Sequence, residues 1–176
     1  MAFLDRFYPT HYTECAYNIP YEELYQAGYR GIIFDIDNTL VPHGAPMDER
    51  ARALFMKLKR IGYQTMILSN NEEHRVKPFA DAAQSAYVHK ANKPALKPYL
   101  RAMEKMETDR ATTFYVGDQL FTDIWGANRA GIMSYRVIPI DGMEDLHIKL
   151  KRHPEKLIWR RYLKKMGNKD GGSDGR

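Results

Sequence analysis

The chain has 176 residues, of which 44% are hydrophobic and 28% are charged, and its formal net charge is +5. This length and composition predict a single folded domain with a sizeable core and argue against intrinsic disorder. The single cysteine excludes a disulfide framework, and no apolar stretch reaches the roughly 18 to 20 residues of a transmembrane helix. Because residues 1–7 also lack the long apolar run of a signal peptide, we expect a cytoplasmic protein.

The positive charge is concentrated near the C-terminus. The stretch from Lys149 to Lys169 contains nine Lys and Arg residues and a single acid, so it carries +8 and the remainder of the chain −3. Basicity is therefore a local property of this segment and not of the fold as a whole.

Strands and helices are predicted to alternate along the chain after a Tyr-rich N-terminal segment. Strands are expected at the short apolar runs, and helices where apolar residues recur at i, i+3, i+4 and i+7. The predicted order is strand 31–36, helix 47–60, strand 64–68, helix 72–83, strand 86–89, helix 94–106, strand 112–116, helix 120–130 and strand 134–138. This alternation predicts an α/β fold, a doubly wound, Rossmann-like parallel sheet of about five strands with helices on both faces.

Four regions follow from this pattern. Residues 1–30 form an aromatic-rich segment expected to pack on the core, and residues 31–140 form the α/β core itself. Residues 141–166 are predicted to be a basic helical segment, and the Gly- and Asp-rich residues 167–176 a disordered tail.

Two aspartates follow the first core strand. Asp35 and Asp37 stand two residues apart, so their side chains can point the same way along extended backbone. A carboxylate that attacks phosphorus needs a second acid–base group at the leaving oxygen, which makes Asp35 the candidate nucleophile and Asp37 the candidate general acid and base. Asn38 and Thr39 are expected to tie the loop by side-chain hydrogen bonds. A turn without chemistry would also fit this run.

Candidate phosphate-binding groups follow the next two strands. Ser69 and Asn70 are predicted to open a helix, where hydroxyl and backbone N–H donors can hold a phosphate, although both residue types are also ordinary helix caps. Lys93 precedes Pro94, which is expected in the first turn of the third helix. A lysine held there can neutralise a transferring phosphoryl group, whereas a solvated loop is the simpler interpretation of Lys-Pro, and Lys90 is a nearby competitor.

Asp118 and Asp123 complete the candidate site. Asp118 ends the fourth core strand, and Asp123 lies one turn into the following helix. Several carboxylates at one strand edge would repel a phosphate dianion, and Mg²⁺ bound by one or two of them would offset that repulsion. Acids favoured by a helix N-terminus are the alternative explanation.

Together these motifs resemble the haloacid dehalogenase (HAD) superfamily of aspartyl-phosphate phosphatases. The resemblance covers about Gly31 to Ile138 and rests on DIDNT, SNN, KP and GDQLFTD. The longer runs DIDNTLV, ILSNN, VHKANKP and VGDQLFTDIWGANRAG are similar to the YqeG-type phosphatases of subfamily IIIA, which are akin to phosphatidylglycerophosphate phosphatases. The resemblance implies the following roles: Asp35 as nucleophile, Asp37 as acid and base, Ser69 and Lys93 as phosphate ligands, and Asp35, the Asp37 backbone carbonyl, Asp118 and Asp123 around Mg²⁺.

The connections between the motifs are too short for the cap domain found in many members of this superfamily. An uncapped site suits a phosphate on a large body, such as a lipid surface, a protein or a nucleic acid, or else a cap supplied by oligomerisation. In the basic segment, the apolar residues Trp159, Tyr162, Leu163 and Met166 follow helical spacing. Such a helix can lie on an anionic membrane or pack its apolar face on the domain.

The leading prediction is a Mg²⁺-dependent phosphomonoester hydrolase acting on phosphatidylglycerophosphate or another anionic phospholipid phosphate, peripheral on the inner membrane face. The same chemistry on protein, nucleic-acid or small phosphorylated substrates is the first alternative. A phosphoacceptor signalling module would also cluster Asp, Ser or Thr and Lys, but an acid two residues after the acceptor favours turnover. A basic nucleic-acid or ribosome-associated protein with a vestigial site is the alternative from another class, and salt-dependent RNA binding without turnover would support it.

Overall fold

Six parallel strands form the central sheet in the computed structural model, which describes residues 3–141 and 146–170, with side chains of the last helix described for 154–166. The strands are β1 (His11–Thr13), β2 (Gly31–Phe34), β3 (Gln64–Leu68), β4 (Ala86–Val88), β5 (Thr113–Gly117) and β6 (Met133–Val137). Their order across the sheet is β1-β6-β5-β2-β3-β4, and every neighbouring pair is parallel.

Helices cover both faces of this sheet. They are α1 (Tyr21–Gln26), α2 (Glu49–Ile61), α3 (Glu73–Ala83), α4 (Leu96–Lys105), α5 (Trp125–Ala130) and α6 (Leu146–Asp170). Alternate strand residues face opposite ways: Ile32 and Phe34 pack with residues of α1, α2 and α3, whereas Ile33 and Tyr115 pack with α4 and α5. The predicted doubly wound α/β fold is therefore confirmed.

Helix α2 shows how the sequence sets its own boundaries. The Asp48 carboxylate accepts a hydrogen bond from the Ala51 N–H at 2.7 Å and so caps the N-terminus. The helix ends at Ile61 and is capped by Gly62, whose φ of 110° lies in the left-handed region that a glycine adopts without strain. Between these ends, Ala51, Leu54, Phe55 and Leu58 are buried, as their helical spacing predicts.

The order of the strands determines where a site can form. From β2 the chain builds outward through β3 and β4, and it then returns to the other side of β2 to add β5 and β6. The direction of winding therefore changes between β2 and β5. In open α/β sheets a crevice forms beyond the carboxyl ends of the strands at such a switch point.

The edge of the sheet, α4 and α6 differ from the sequence-based prediction. The sheet has a sixth strand, because the short edge strand β1 pairs with β6 although its side chains are largely exposed and show no apolar run. Helix α4 begins at Leu96, so Pro94 precedes it and does not lie in its first turn. Helix α6 continues to Asp170, into the predicted tail, while residues 142–145 and 171–176 lie outside the described residues.

The N-terminal segment and α6 pack together beside the sheet. Phe7 makes edge contacts with Phe121 and Trp125 at 5.1 and 5.4 Å between ring centroids. Ile158 of α6 is buried in the same cluster, and Tyr162 is also buried. Ile158 and Tyr162 of α6 are thus used for packing, whereas Leu163, which helical spacing places on the same apolar face, is exposed. Within the described part of the chain, no helix has the length and hydropathy needed to cross a bilayer.

We predict that Leu58→Ala will lower the free energy of unfolding by about 2–5 kcal/mol, because Leu58 is fully buried and its truncation leaves a cavity under α2. The measurement is urea denaturation followed by circular dichroism. Met56→Ala is the matched control, since Met56 lies on the same helix with 59% of its surface exposed and should cost less than about 0.5 kcal/mol. Equal losses would contradict the assigned packing of α2.

Candidate active site

The site begins where β2 and β5 end side by side. Asp35 follows β2 and Asp118 follows β5, and the Asp35 N–H donates to the Val116 carbonyl at 3.0 Å, which extends the strand pairing by one residue. Both aspartates therefore lie at the switch point of the sheet. Their side chains are buried although both are acidic, so the surrounding groups must compensate for the lost hydration.

Three carboxylates converge at this point. Oxygen atoms of Asp35, Asp118 and Asp123 all lie within 4.8 Å of one another, and all three residues are buried. Residues that are far apart in the sequence thus form one acidic cluster, which we call the carboxylate cluster. The side chain of Asp37 is not part of it.

Lys93 supplies the cation of the cluster. Its Nζ donates to Asp35 Oδ1 at 2.6 Å and to Asp123 Oδ1 at 2.7 Å, and only 3% of its side chain is exposed. The Nζ also donates to the Tyr115 hydroxyl at 3.0 Å, and that hydroxyl donates in turn to Asp123 Oδ1 at 2.9 Å. Tyr115 was not foreseen from the sequence, because it lies in an apolar strand run that gives no functional signal.

Asp123 reaches the cluster through a local distortion. Residues Leu120–Ile124 form a π-helical turn before α5, and the N–H of Gln119 donates to Asp123 Oδ2 at 3.0 Å. A side chain at Gly117 would place its Cβ 2.6 Å from Asp123 Oδ2, so the glycine leaves the space that the carboxylate occupies. Wide turns of this kind often occur at functional sites.

The two residues after β3, Ser69 and Asn70, do not open a helix as predicted. Helix α3 begins only at Glu73, so Ser69 and Asn70 lie in the preceding loop and not at a helix N-terminus. Asn70 Oδ1 accepts from the Lys93 N–H at 2.7 Å, and its Nδ2 donates to the Lys93 carbonyl at 3.3 Å. Asn70 therefore holds the backbone of Lys93, while the buried Ser69 accepts from the Asn71 N–H at 3.2 Å.

Asp37 lies in a separate set of hydrogen bonds. Its Oδ1 accepts from the Gly44 N–H and from Arg75 Nη2, both at 2.8 Å, and its Oδ2 accepts from Asn71 Nδ2 at 2.6 Å. Arg75 and Asn71 were missed by the sequence analysis. Asn71 stands in the recognised SNN motif, but nothing in the sequence connects Arg75 on α3 with the loop after β2.

Asn38 and Thr39 support the same loop. Asn38 adopts a φ of 61°, and its N–H donates to the Val41 carbonyl at 2.8 Å while its side-chain Oδ1 accepts from the Asp141 N–H at 3.2 Å. The hydroxyl of the buried Thr39 reaches Asp118 Oδ1 at 3.5 Å. These contacts connect the loop after β2 to the segment after β6 and to the carboxylate cluster.

The electrostatics of the cluster follow from burial and charge. Burial raises the pKa of Asp35 to about 7, even though the ammonium of Lys93 acts in the opposite direction. Burial alone would lower the pKa of Lys93, but Asp123 and Asp35 outweigh it and the pKa is raised, so the lysine stays protonated. Burial and the nearby Asp123 raise the pKa of Tyr115 well above its usual value.

Charge and donor type together make the cluster a candidate cation site. Three carboxylates surround a single ammonium, so the fully ionised cluster carries an excess of negative charge. Carboxylate oxygens are the ligands that hard divalent cations prefer. The arrangement can hold such a cation, bind an anionic group near Lys93 and present Asp35 to it.

Comparisons with known proteins agree with this architecture. A family model described as haloacid dehalogenase-like hydrolase matches residues 42–131, a stretch that contains Ser69, Lys93, Asp118 and Asp123 but starts after Asp35 and Asp37. The chain is 34% identical over 153 residues to the "Probable phosphatase YqeG" of Bacillus subtilis (strain 168). The matched region covers 86% of this chain and 89% of that protein.

Two further relatives are more distant. Phosphatidylglycerophosphate phosphatase 1, chloroplastic/mitochondrial, of Arabidopsis thaliana is 28% identical over 169 residues, covering 84% of this chain and 45% of that protein. The crystal structure of a HAD-superfamily hydrolase from Ehrlichia chaffeensis superposes with a TM-score of 0.50 at 15% identity, covering 73% of this chain and 97% of that one, which supports the fold. The chain belongs to the haloacid dehalogenase-like hydrolases and is thus an enzyme of the hydrolase class.

Proposed function

We propose that this chain is a Mg²⁺-dependent phosphomonoester hydrolase that works through an aspartyl-phosphate on Asp35. The observation that carries the proposal is the buried contact of Lys93 with Asp35 and Asp123 beside Asp118. The similarity to a probable phosphatase supports the same reaction class. As substrate we propose phosphatidylglycerophosphate or a similar anionic phospholipid phosphate.

In the proposed reaction, a carboxylate oxygen of Asp35 attacks phosphorus and the bond to the leaving oxygen breaks. Asp37 gives a proton to the departing alkoxide and then takes one from the water that hydrolyses the acyl-phosphate, which releases inorganic phosphate and restores Asp35. Lys93 neutralises charge on the phosphoryl group, and Ser69 is the second proposed ligand of that group. Asn70 contributes indirectly, because its side chain holds the backbone of Lys93 in place.

The cluster fits Mg²⁺ by its chemistry, because its three buried carboxylates are within reach of one ion and exceed the charge of Lys93. Asp35, Asp118 and Asp123 would hold the ion together with the Asp37 backbone carbonyl. When bound, the ion offsets the negative charge of the phosphate and of these carboxylates.

A large substrate is favoured by the short connections around the site. The segment from Asp37 to β3 contains one helix, α2, and the segment from Ser69 to Lys93 contains α3 and the short strand β4. We take the site to be uncapped on this basis. An open site can approach a phosphate that projects from a lipid surface.

The outward face of α6 is the proposed membrane contact. Its inward face is already occupied, since Tyr162 lies 5.2 Å from Tyr8 between ring centroids and Trp159 lies under the Arg136 guanidinium at 4.1 Å. The exposed side chains of α6 include Lys156, Leu157, Arg160, Arg161, Leu163 and Lys164. A basic face of this kind is attracted to anionic lipid.

Helix α6 also lies close to the candidate site, through the face opposite to the basic one. Arg136, which stacks on Trp159 of α6, donates from Nε to the Asp118 carbonyl at 3.3 Å. The Glu155 carboxylate accepts from the N–H of Phe121 in the turn that carries Asp123 at 3.2 Å. Attraction of α6 to a bilayer would therefore bring the carboxylate cluster near the lipid phosphates.

We expect Asp35→Asn to abolish phosphate release, because the amide cannot form the covalent intermediate. Asp37→Asn should slow turnover most for poor leaving groups such as alkyl alcohols and least for nitrophenol, which departs without a proton. The measurement is phosphate release in Mg²⁺ across phospholipid, nucleotide, sugar and phosphopeptide substrates. Substantial activity of Asp35→Asn would refute the mechanism, and RNA binding without any turnover would favour the vestigial-site alternative.

We expect Mg²⁺ to raise the melting temperature of the wild-type protein, because an ion that binds only the folded state stabilises it by about 2.7 kcal/mol at 100 times its dissociation constant. Asp118→Asn should remove most of this shift, as read by differential scanning calorimetry with and without chelator. Glu104→Gln, which removes an exposed acid on α4, is the control and should keep the shift. A shift unaffected by Asp118→Asn would place the ion elsewhere.

We expect the triple variant Arg160→Gln, Arg161→Gln and Lys164→Gln to lose binding to phosphatidylglycerol vesicles. At about 1 kcal/mol for each basic residue, the partition coefficient should fall roughly 100-fold, and salt should release the wild type in the same assay. The matched control changes Arg52, Lys59 and Arg60 of α2 to Gln, which removes the same charge from another exposed helix face. Equal losses would contradict a specific role of α6, and absence of wild-type binding would favour a protein or nucleic-acid phosphate.

A further inference from the structure

The guanidinium of Arg75 has capacity for a ligand that the folded protein does not supply. Its Nη2 donates to Asp37 Oδ1 at 2.8 Å, and 17% of its side chain is exposed. Its Nε is buried and has no hydrogen-bond partner in the described part of the chain. Buried N–H groups are rarely left unpaired in folded proteins, so Nε is expected to meet an acceptor, either a bound water or a ligand atom.

Asp37 alone does not account for an arginine at this position. Two other donors, the Gly44 N–H at 2.8 Å and Asn71 Nδ2 at 2.6 Å, already hold its two oxygens. A guanidinium carries five N–H donors in a planar fork suited to carboxylate and phosphate groups, and Asp37 accepts from only one nitrogen of Arg75.

The location of Arg75 follows from the role of Asp37, and this step rests on the proposed function. A general acid must lie beside the oxygen that leaves with the alcohol. Since Arg75 contacts the carboxylate of Asp37, it lies on the leaving-group side of the reacting phosphorus. Lys93, which contacts Asp35 and Asp123, is assigned to the phosphoryl group itself.

We propose that Arg75 recognises a second anionic group, a phosphodiester, carried by the alcohol that leaves. The preferred substrates are then phosphomonoesters of alcohols that bear a phosphodiester a few bonds from the scissile oxygen. Arg75 keeps its contact with Asp37 through Nη2 while the remaining N–H groups of its partly exposed guanidinium donate to the phosphodiester. A glycerophosphoglycerol headgroup has this chemistry, whereas a neutral alcohol offers these N–H groups no anion.

Two water-soluble substrates test the proposal without a membrane. Glycerophosphoglycerol phosphate has a leaving alcohol with a phosphodiester, and glycerol 3-phosphate has a neutral one. We expect wild-type kcat/KM to favour the first by at least tenfold, and Arg75→Gln to reduce that preference by tenfold or more, mainly through KM. Arg75→Lys, which keeps the charge but not the fork, should show an intermediate preference.

The control is Lys77→Gln. Lys77 lies on the same helix and pairs with Asp81 on the exposed surface, and its substitution removes the same charge. The preference of this variant for glycerophosphoglycerol phosphate should therefore equal that of the wild type. Near-ultraviolet circular dichroism verifies that each variant is folded. If Arg75→Gln lowers kcat/KM by the same factor on both substrates, the proposal is overturned and Arg75 is a positioning residue for Asp37. A wild-type enzyme without preference between the two substrates would also overturn the proposal.

Binding separates this proposal from the proposed function. If wild-type protein hydrolyses neither of these substrates and none in the phosphate-release screen, the proposed function fails, and calorimetric titration with glycerophosphoglycerol phosphate then tests the role of Arg75. Binding that weakens at least tenfold in Arg75→Gln but not in Lys77→Gln would support recognition of the second anion. Absence of binding, or binding that does not depend on Arg75, would overturn it.

Discussion

The ion pairs of Lys93 are the interaction on which the candidate site depends. Three buried carboxylates at the edge of a sheet repel one another, and a single ammonium at 2.6 and 2.7 Å from two of them offsets part of that repulsion. An ion pair this deeply buried requires close geometry and further hydrogen bonds to compensate for the lost hydration. Asn70 supplies the geometry by holding the Lys93 backbone, and the Tyr115 hydroxyl accepts a hydrogen bond from Lys93 and donates one to Asp123.

The topology of the sheet explains why these residues meet at all. Asp35 and Asp118 are neighbours only because the chain returns from β4 to add β5 on the other side of β2. In open α/β sheets such a change in winding forms a crevice beyond the strand ends, where polar side chains can lie. The π-helical turn and Gly117 then let Asp123 join from the same connection as Asp118.

The sequence predicts the parts of this site that depend on local patterns. Strands that are buried on both faces appear in the sequence as apolar runs, and these runs place Asp35 and Asp118 at strand ends. Helix α2 is likewise predicted by its capping residue and its helical spacing. The roles of Asn70 and Arg75 depend on contacts between loops and helices that no local period encodes. Strand β1 was missed for a related reason, because its pairing with β6 is made by backbone groups and its side chains are largely exposed.

Helix α6 shows why packing and surface charge have to be considered separately. Tyr162 is buried and Glu155 accepts a hydrogen bond from the turn that carries Asp123, so removal of the helix would disturb the carboxylate cluster itself. Arg160 and Lys164 lie on the opposite side and are exposed. A loss of activity after truncation would therefore be expected whether or not the helix contacts lipid. Only changes confined to the outward face can separate a membrane role from the structural one, because they leave the packing against Phe121 and Arg136 intact.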